Sequence, residues 1–214
     1  MPLIDITPPI DDRLAVWPGD EPPRREIKCH IKDGAVVTLS AIHSTVHTGA
    51  HADGANHYGL DAPSIDQMPL ERYIGPCQVI TARSERGRRV RITDLATTAI
   101  TQPRVLLRSG TYPDRTNFNR DFSGLEPDLV DMLHGCGVFL VGVDTPSVDM
   151  SDSKDLPAHK MFLKHNMSIV EGLVLAHVQD GEYEFIALPL PLIGYDASPV
   201  RAVLRQITGD RRAS

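Results

Sequence analysis

Residues 47–57 read His47-Thr48-Gly49-Ala50-His51-Ala52-Asp53-Gly54-Ala55-Asn56-His57, and they hold three of the nine histidines of the 214-residue chain. The histidines and the aspartate of this stretch all occupy odd-numbered positions: His47, His51, Asp53 and His57. An extended backbone would place these four side chains on one face. A helix would scatter them, because Asp53 and His57 would be rotated well away from the other two. The spacing therefore predicts a strand that presents imidazoles and a carboxylate together.

The same stretch must also bend. Ten extended residues span about 33 Å, and four side chains spread over that length could not converge. Gly49 and Gly54 are the residues that can bend the chain without a Cβ penalty. Imidazole and carboxylate groups on one concave face predict a zinc site, with manganese or iron as alternative metals. A polar turn whose histidines bond only to the backbone is the competing interpretation.

Two further ligands are expected from the second half of the chain. Glu171 lies in an otherwise apolar run, residues 168–175, where a carboxylate must be protonated, ion-paired or metal-bound. His159 lies at the start of a short helix that Pro157 is expected to begin. A Lys or Arg partner for Glu171 and a surface position for His159 are the alternatives.

Together these residues exceed the needs of one zinc ion. Five protein ligands and a solvent oxygen predict two metals that share one carboxylate, for which Asp53 is the natural bridge. His57 would then be free to transfer protons, since a histidine near a metal-activated water is the usual proton carrier. This pattern favours a hydrolase without indicating a substrate.

The rest of the chain predicts a mixed α/β domain with a β-core and helices outside it. Short helices are expected after Pro127 and Pro157. No repeat or linker divides the chain, so one domain over residues 1–214 is expected. Strands are expected in the short β-rich runs at residues 3–7, 35–40, 78–82, 104–108, 138–143 and 185–192, with a closing segment at 198–206.

Composition excludes several classes of protein. The net charge is −6 and no dense basic cluster is present, which argues against binding to nucleic acid or to an anionic membrane. No apolar run is long enough to cross a bilayer, and the N-terminus lacks the pattern of a signal peptide. Three widely spaced cysteines without a C-x-x-C pair fit neither a disulfide framework nor a cysteine zinc site. A reducing, cytoplasmic compartment is therefore expected.

The histidine stretch resembles the signature of the cyclase-like metal hydrolases, H-x-G-[TA]-H-x-D-x-P-x-H. Three further motifs extend the resemblance to the bacterial kynurenine formamidase family over nearly the whole chain: WPGD (17–20), VDTPSVD (143–149) and DASPVRAVL (196–204). The sequence departs from the family pattern at Ala55, which stands where the family has proline, and Asn56 follows it. Loss of that proline loosens the bend before His57.

The resemblance implies a swivelling β/β/α fold with a mixed β-core and peripheral helices, a homodimer and two zinc ions per subunit. The implied reaction is hydrolysis of the small molecule N-formyl-L-kynurenine to L-kynurenine and formate in tryptophan degradation, by a zinc-bound hydroxide. An isatin-hydrolase-like enzyme that opens cyclic amides or imides is the nearest alternative. A structural zinc protein, a two-His-one-carboxylate oxygenase and a generic α/β domain are more distant ones.

The residue roles that the resemblance implies agree with the interpretation of the histidine stretch. His57 matches the proton-transfer histidine, which would relay a proton to the departing aniline nitrogen. Trp17 matches an aromatic residue that contacts the substrate, and Tyr58 or Phe162 would also pack against the aryl ring. The implied ligands of one zinc are His47, His51 and Asp53, and those of the other are Asp53, His159 and Glu171.

Overall fold

The computed structural model describes residues 2–207, so the first residue and the last seven of the expected 1–214 domain lie outside the described chain. The strands within that range are β1 (Leu3–Asp5), β2 (Arg24–Cys29), β3 (Leu39–His43), β4 (His51–Asp53), β5 (Ile74–Thr81), β6 (Arg104–Arg108), β7 (Leu140–Val143), β8 (Ser168–Glu171), β9 (Gly181–Ile186), β10 (Ala197–Pro199) and β11 (Val203–Gln206). The helices are α1 (Pro127–Gly135) and α2 (Pro157–Lys164).

Nine of these strands form one curled mixed sheet in the order β1-β11-β9-β5-β6-β7-β8-β4-β10. The four central strands β5 to β8 run parallel, and the outer strands pair antiparallel. Strand β7 is buried along its whole length, as expected for a parallel strand that is covered on both faces. The remaining strands, β2 and β3, form a separate antiparallel hairpin.

Each face of the main sheet has its own core. Helices α1 and α2 bury Leu129, Leu133 and Phe162 against one face. The opposite face is covered by side chains of irregular segments and turns, among them Tyr73 and Leu173. The predicted α/β fold class, with a mixed β-core and peripheral helices, is therefore confirmed. No helix of the described residues is long and apolar enough to cross a membrane.

Both helices begin with proline at the first helical position, as predicted. In α2 the buried positions are Ala158, His159 and Phe162, which share one helix face. This face turns His159 toward the sheet instead of toward solvent. His159 is 3% exposed, so the alternative of a surface position for this residue is wrong.

Two predicted strands are wrong in their limits. The run at 35–40 is largely irregular, with Val36 exposed, and the strand is instead β3, which pairs only within the hairpin. The run at 185–192 ends as a strand at Ile186, since Pro189 and Pro191 cannot donate to a ladder. The segment at 198–206 contributes to two strands at opposite ends of the sheet: β10 forms one edge, and β11 lies next to the other edge strand, β1.

Gly172, directly after β8, allows two segments of the site to approach closely. Its φ is +70°, and a Cβ there would lie 2.0 Å from the carbonyl oxygen of Gly49. Only glycine fits such a contact, and it holds the end of β8 against the start of the histidine stretch. In the adjoining ladder His51 lies directly opposite Glu171, so their side chains share a face of the sheet.

Candidate metal centre

The histidine stretch combines a short strand with two bends. Its extended part is β4, in which His51 and Asp53 share one face as predicted. Gly49 bends the chain before the strand with a φ of +59°, which confirms its predicted role. Gly54 does not use a left-handed conformation, since its φ is −77°. Glycine is needed there because a Cβ would lie 2.7 Å from the backbone nitrogen of Ile65.

The structure brings the five predicted ligands together around Asp53. The His47 Nδ1 and His51 Nε2 atoms lie 3.4 and 3.6 Å from Oδ1 of Asp53. The His159 Nε2 atom lies 3.8 Å from Oδ2 of the same carboxylate. Glu171 closes the group, with one oxygen 3.3 Å from His51 Nε2 and the other 3.8 Å from His159 Nε2.

Three buried polar atoms of this cluster lack hydrogen-bond partners among the described residues, whereas Glu171 accepts a hydrogen bond from the Val148 backbone N–H. Both carboxylate oxygens of Asp53 are unsatisfied although its side chain is fully buried, and so is Nε2 of His51. Leaving such groups unpaired costs free energy unless another ligand completes them. Imidazole nitrogens and carboxylate oxygens are donors that zinc and related divalent metals prefer. The cluster therefore fits a metal. Three overlapping ligand sets meet in the described residues: His47, His51 and Asp53; Asp53, His57 and His159; and His47, His57 and Asp196.

The charges of the cluster stabilise one another in the absence of metal. Burial opposes ionisation of Asp53, but its contact with His47 and the charge of His51 lower its pKa to about 2. Burial also opposes the charge on His47, but the carboxylates of Asp53 and Asp196 raise its pKa to about 9. A metal ligand must be deprotonated, so metal binding would displace a proton from His47.

Hydrogen bonds outside the cluster fix which ring nitrogen faces inward. Nδ1 of His51 contacts the carbonyl oxygen of Gly49 at 3.1 Å, and Nδ1 of His159 contacts the carboxylate of Asp149 at 2.8 Å. In both rings Nε2 is left to point at Asp53. The carboxylate of Asp149 is itself fixed by Arg89 at 2.7 Å. Such partners set the tautomer and orientation of metal-binding histidines.

Replacing Asp149 with asparagine should weaken metal binding at the His159 side of the cluster by about 10- to 100-fold. An amide lacks the charge that favours the Nδ1–H tautomer of His159, so Nε2 would be less available inward. Metal titration followed by calorimetry measures the change. Asp131→Asn is the matched control, because the exposed Asp131 pairs with His165 outside the cluster and its replacement should leave metal affinity unchanged. Equal affinity in Asp149→Asn and wild type would contradict the orienting role.

Asp196 lies between two of the histidines. Its Oδ2 is 2.9 Å from Nε2 of His47 and 3.5 Å from Nδ1 of His57. His57 sits in a turn after β4 at the rim of the site, with 36% of its side chain exposed. Its ring centre is 4.2 Å from that of His47. This position gives His57 access both to the cluster and to solvent, which suits the predicted proton transfer.

Sequence reasoning missed Asp149 and Asp196 as site residues. Asp149 lies in the family-like motif at 143–149 and Asp196 in the motif at 196–204. Membership of these motifs is the sequence feature that could have identified both residues. By contrast, His43 lies outside the cluster, as expected, and pairs with Glu26 at 2.7 Å in the hairpin. Asp144 accepts hydrogen bonds from Ser109 and from the Gly110 backbone, so it holds a turn together.

A cavity of about 410 Å³ opens onto the cluster. Its wall includes Trp17, which packs edge-on against Phe118 with ring centres 5.2 Å apart. The predicted substrate-contacting Trp17 is thus placed in the cavity. Tyr58 and Phe162 are not part of the wall that the described residues form. Phe162 is fully buried under α2, which corrects the expectation that it contacts a substrate ring.

The fold and this cluster define a protein in which a cavity-facing His/Asp/Glu cluster that could hold a metal lies at one end of a mixed β-sheet. The Cyclase family model, described as "Putative cyclase", matches residues 4–150, which is more than half of the chain. The chain therefore belongs to the Cyclase family.

Several solved structures are similar over nearly their whole length. One described as a potential metal-dependent hydrolase with cyclase activity is 26% identical, with a TM-score of 0.82, covering 96% of this chain and 99% of that one. A predicted metal-dependent hydrolase from Bacillus stearothermophilus is 28% identical, with a TM-score of 0.79 and coverage of 95% and 97%. Isatin hydrolase A from Labrenzia aggregata, at 21% identity, a TM-score of 0.80 and coverage of 95% and 93%, shares the fold.

Proposed function

We propose that the protein is a metal-dependent amide hydrolase whose substrate is N-formyl-L-kynurenine, which it converts to L-kynurenine and formate. The observation that supports hydrolysis best is the convergence of three imidazoles, those of His47, His51 and His159, on Asp53, a fully buried carboxylate whose oxygens lack hydrogen-bond partners among the described residues. Two similar structures above 25% identity are described as a potential and a predicted metal-dependent hydrolase. The choice of an aryl formamide rests on the aromatic wall of the cavity and on the family-like motifs.

The ligand roles in this proposal are those that the family resemblance implies. His47, His51 and Asp53 would hold one ion, and Asp53, His159 and Glu171 the other, as two zinc ions per subunit. When bound, divalent cations supply Lewis acidity that polarises an amide carbonyl and activates water at neutral pH. The remaining elements of the proposal are a homodimer and a cytoplasmic location, with no nucleic-acid or membrane partner.

The chain's own residues provide orientation and proton transfer. Trp17 and Phe118 would hold the aryl ring of the substrate against the cavity wall. His57 lies at the rim of the site and, once it has accepted a proton, would give that proton to the aniline nitrogen as the C–N bond breaks, so that a neutral amine leaves. Asp196, 3.5 Å from Nδ1 of His57, would stabilise the charged imidazole before that transfer.

An isatin-hydrolase-like reaction is the second candidate, because isatin hydrolases are among the structures that share this fold. Its substrate is a cyclic amide without a formyl group. A shared fold does not determine the substrate, and both reactions would use the same ligand cluster. The two candidates therefore differ in the cavity beyond the cluster.

The deciding experiment measures hydrolysis of N-formyl-L-kynurenine and of isatin by purified zinc-loaded protein. We expect kcat/KM for the formyl amide to exceed that for isatin by about 100-fold or more, since the cavity is proposed to discriminate by substrate contacts. A chelator should remove the activity, and added zinc should restore it. A preference for isatin would select the second candidate, and hydrolysis of neither would contradict the proposed function.

A further inference from the structure

Arg115 brings a positive charge to the cavity without a carboxylate partner. Of the residues that line the cavity in the described chain, it is the one Arg or Lys. Its Nη2 donates to the carbonyl oxygens of Asp144 and Leu173, at 2.9 and 2.7 Å. No carboxylate oxygen of residues 2–207 lies within ion-pair distance of it. The guanidinium is therefore held in place by neutral acceptors.

This arrangement leaves the charge of Arg115 uncompensated in a partly buried position. Burial lowers the pKa of Arg115, although the nearby charge of Asp144 works in the opposite direction. Arginine nevertheless stays protonated in proteins, so its charge needs a counter-ion or water. The carboxylates of Asp144 and Asp114 are engaged by other groups, since Asp144 accepts from Ser109 and Asp114 accepts from Thr116.

A second unpartnered group lies beside it. Tyr112 is 4% exposed and lines the same cavity, and its hydroxyl has no hydrogen-bond partner among the described residues. The guanidinium of Arg115 lies over the Tyr112 ring, 5.1 Å from its centre. Burial raises the pKa of Tyr112 to about 12, so the hydroxyl carries its proton at neutral pH and can donate it. A buried hydroxyl without an acceptor costs about 1–3 kcal/mol.

The Arg115 guanidinium and the Tyr112 hydroxyl are both hydrogen-bond donors, so together they suit an anion as ligand. A carboxylate accepts from a guanidinium and from a hydroxyl at once. The other charged cavity residues outside the metal cluster, Asp20 and Asp196, are acidic, so an anion has Arg115 as its cationic partner. Leu173, whose carbonyl oxygen accepts a hydrogen bond from Arg115, is two residues beyond Glu171. The guanidinium therefore lies near the end of β8 that carries this predicted metal ligand.

An aromatic row connects this pair with the proposed ring-binding wall. The Tyr112 ring packs against Phe118 at 5.8 Å, and Phe118 packs against Trp17 at 5.2 Å. A flat aryl group with a short chain ending in a carboxylate would follow this row. A neutral cyclic amide offers these donors only carbonyl oxygens, which form weaker hydrogen bonds with a guanidinium than a carboxylate does.

We propose that Arg115 and Tyr112 form the subsite that binds the carboxylate of the substrate and so selects amides that carry an acidic side chain. That the molecule bound here carries an amide for hydrolysis at the metal cluster rests on the proposed function. The carboxylate contacts themselves do not require that hydrolysis takes place. Binding of non-reacting ligands therefore tests the subsite separately from the activity.

The experiment compares two ligands by calorimetry on the zinc-loaded protein: L-kynurenine and kynuramine, which is the same molecule without its carboxylate. Wild type should bind L-kynurenine about 10- to 100-fold more tightly, the usual range for a hydrogen-bonded charge pair. Arg115→Met keeps the packing of the side-chain stem and should lose this preference. Tyr112→Phe removes one hydroxyl and should reduce the preference by about threefold to tenfold.

Arg115→Lys is the charge-preserving control and should retain part of the preference. Equal binding of both ligands by wild type would overturn the subsite, and so would an equal loss of both ligands in Arg115→Met. If Arg115→Met does not fold, Tyr112→Phe decides, and an unchanged preference there rejects the proposal. A wild type that prefers L-kynurenine without hydrolysing its formyl amide would support the subsite and contradict only the proposed function.

Discussion

Replacing Asp53 with asparagine should remove metal binding at both positions of the cluster and lower turnover by about 1000-fold or more, equivalent to about 4 kcal/mol of transition-state stabilisation. Asp53 lies within 4 Å of His47, His51 and His159, so one carboxylate serves both proposed ligand sets. Asparagine preserves the shape of the side chain but removes the charge that attracts a cation. Metal analysis of the purified protein and steady-state kinetics measure the two effects.

The same substitution should also abolish stabilisation by metal. A ligand at about 100 times its Kd stabilises the folded state by about 2.7 kcal/mol. Wild type should therefore melt at a higher temperature with zinc than with chelator, whereas Asp53→Asn should melt at the same temperature in both. Asp180→Asn is a suitable control, because Asp180 binds Thr81 and Arg108 outside the site. A zinc-dependent shift that persists in Asp53→Asn would contradict the shared-carboxylate arrangement.

The ligand cluster could be predicted because local sequence carries most of its geometry. A strand period of two places His51 and Asp53 on one face, and that holds in β4. The partner Glu171 could be identified because an ionisable residue within an apolar run demands a compensating group. The sheet register then brings Glu171 opposite His51, which no local pattern could specify.

Other parts of the site depend on contacts between distant segments. Asp149 acts on His159 across ten residues, and Asp196 acts on His47 across 149 residues. Isolated aspartates near prolines also read as ordinary turn residues, so spacing alone does not distinguish them. The Arg115 and Tyr112 pair is similar, because a long polar loop gives no periodic signal that its residues face a cavity.

The errors in the limits of the predicted strands have the same cause, since strand pairing also depends on contacts between distant segments. An apolar, β-branched run such as residues 35–40 favours a strand, but tertiary pairing decides whether and where it forms. In this chain the ladder with β2 starts only at Leu39. Buried central strands were easier to predict, since β6 and β7 are covered on both faces and read as continuous apolar runs.

Replacing His57 with alanine should separate metal binding from proton transfer. We expect wild-type metal content, because His57 belongs to neither proposed set of zinc ligands. Turnover should fall by about 100- to 10,000-fold, the usual contribution of a positioned general acid. The loss should appear in kcat more than in KM, since the aromatic wall and Arg115 would still bind the substrate. Metal analysis and steady-state kinetics with N-formyl-L-kynurenine measure these values.

Two comparisons make the role of His57 specific. His43→Ala removes a histidine that pairs with Glu26 in the hairpin, so it should retain metal and activity. Added imidazole should restore part of the turnover of His57→Ala, because the rim position, 36% exposed, leaves a route for a small proton donor. A structural histidine would not show this rescue. Loss of metal together with activity would instead make His57 a ligand, consistent with its geometric grouping with Asp53 and His159.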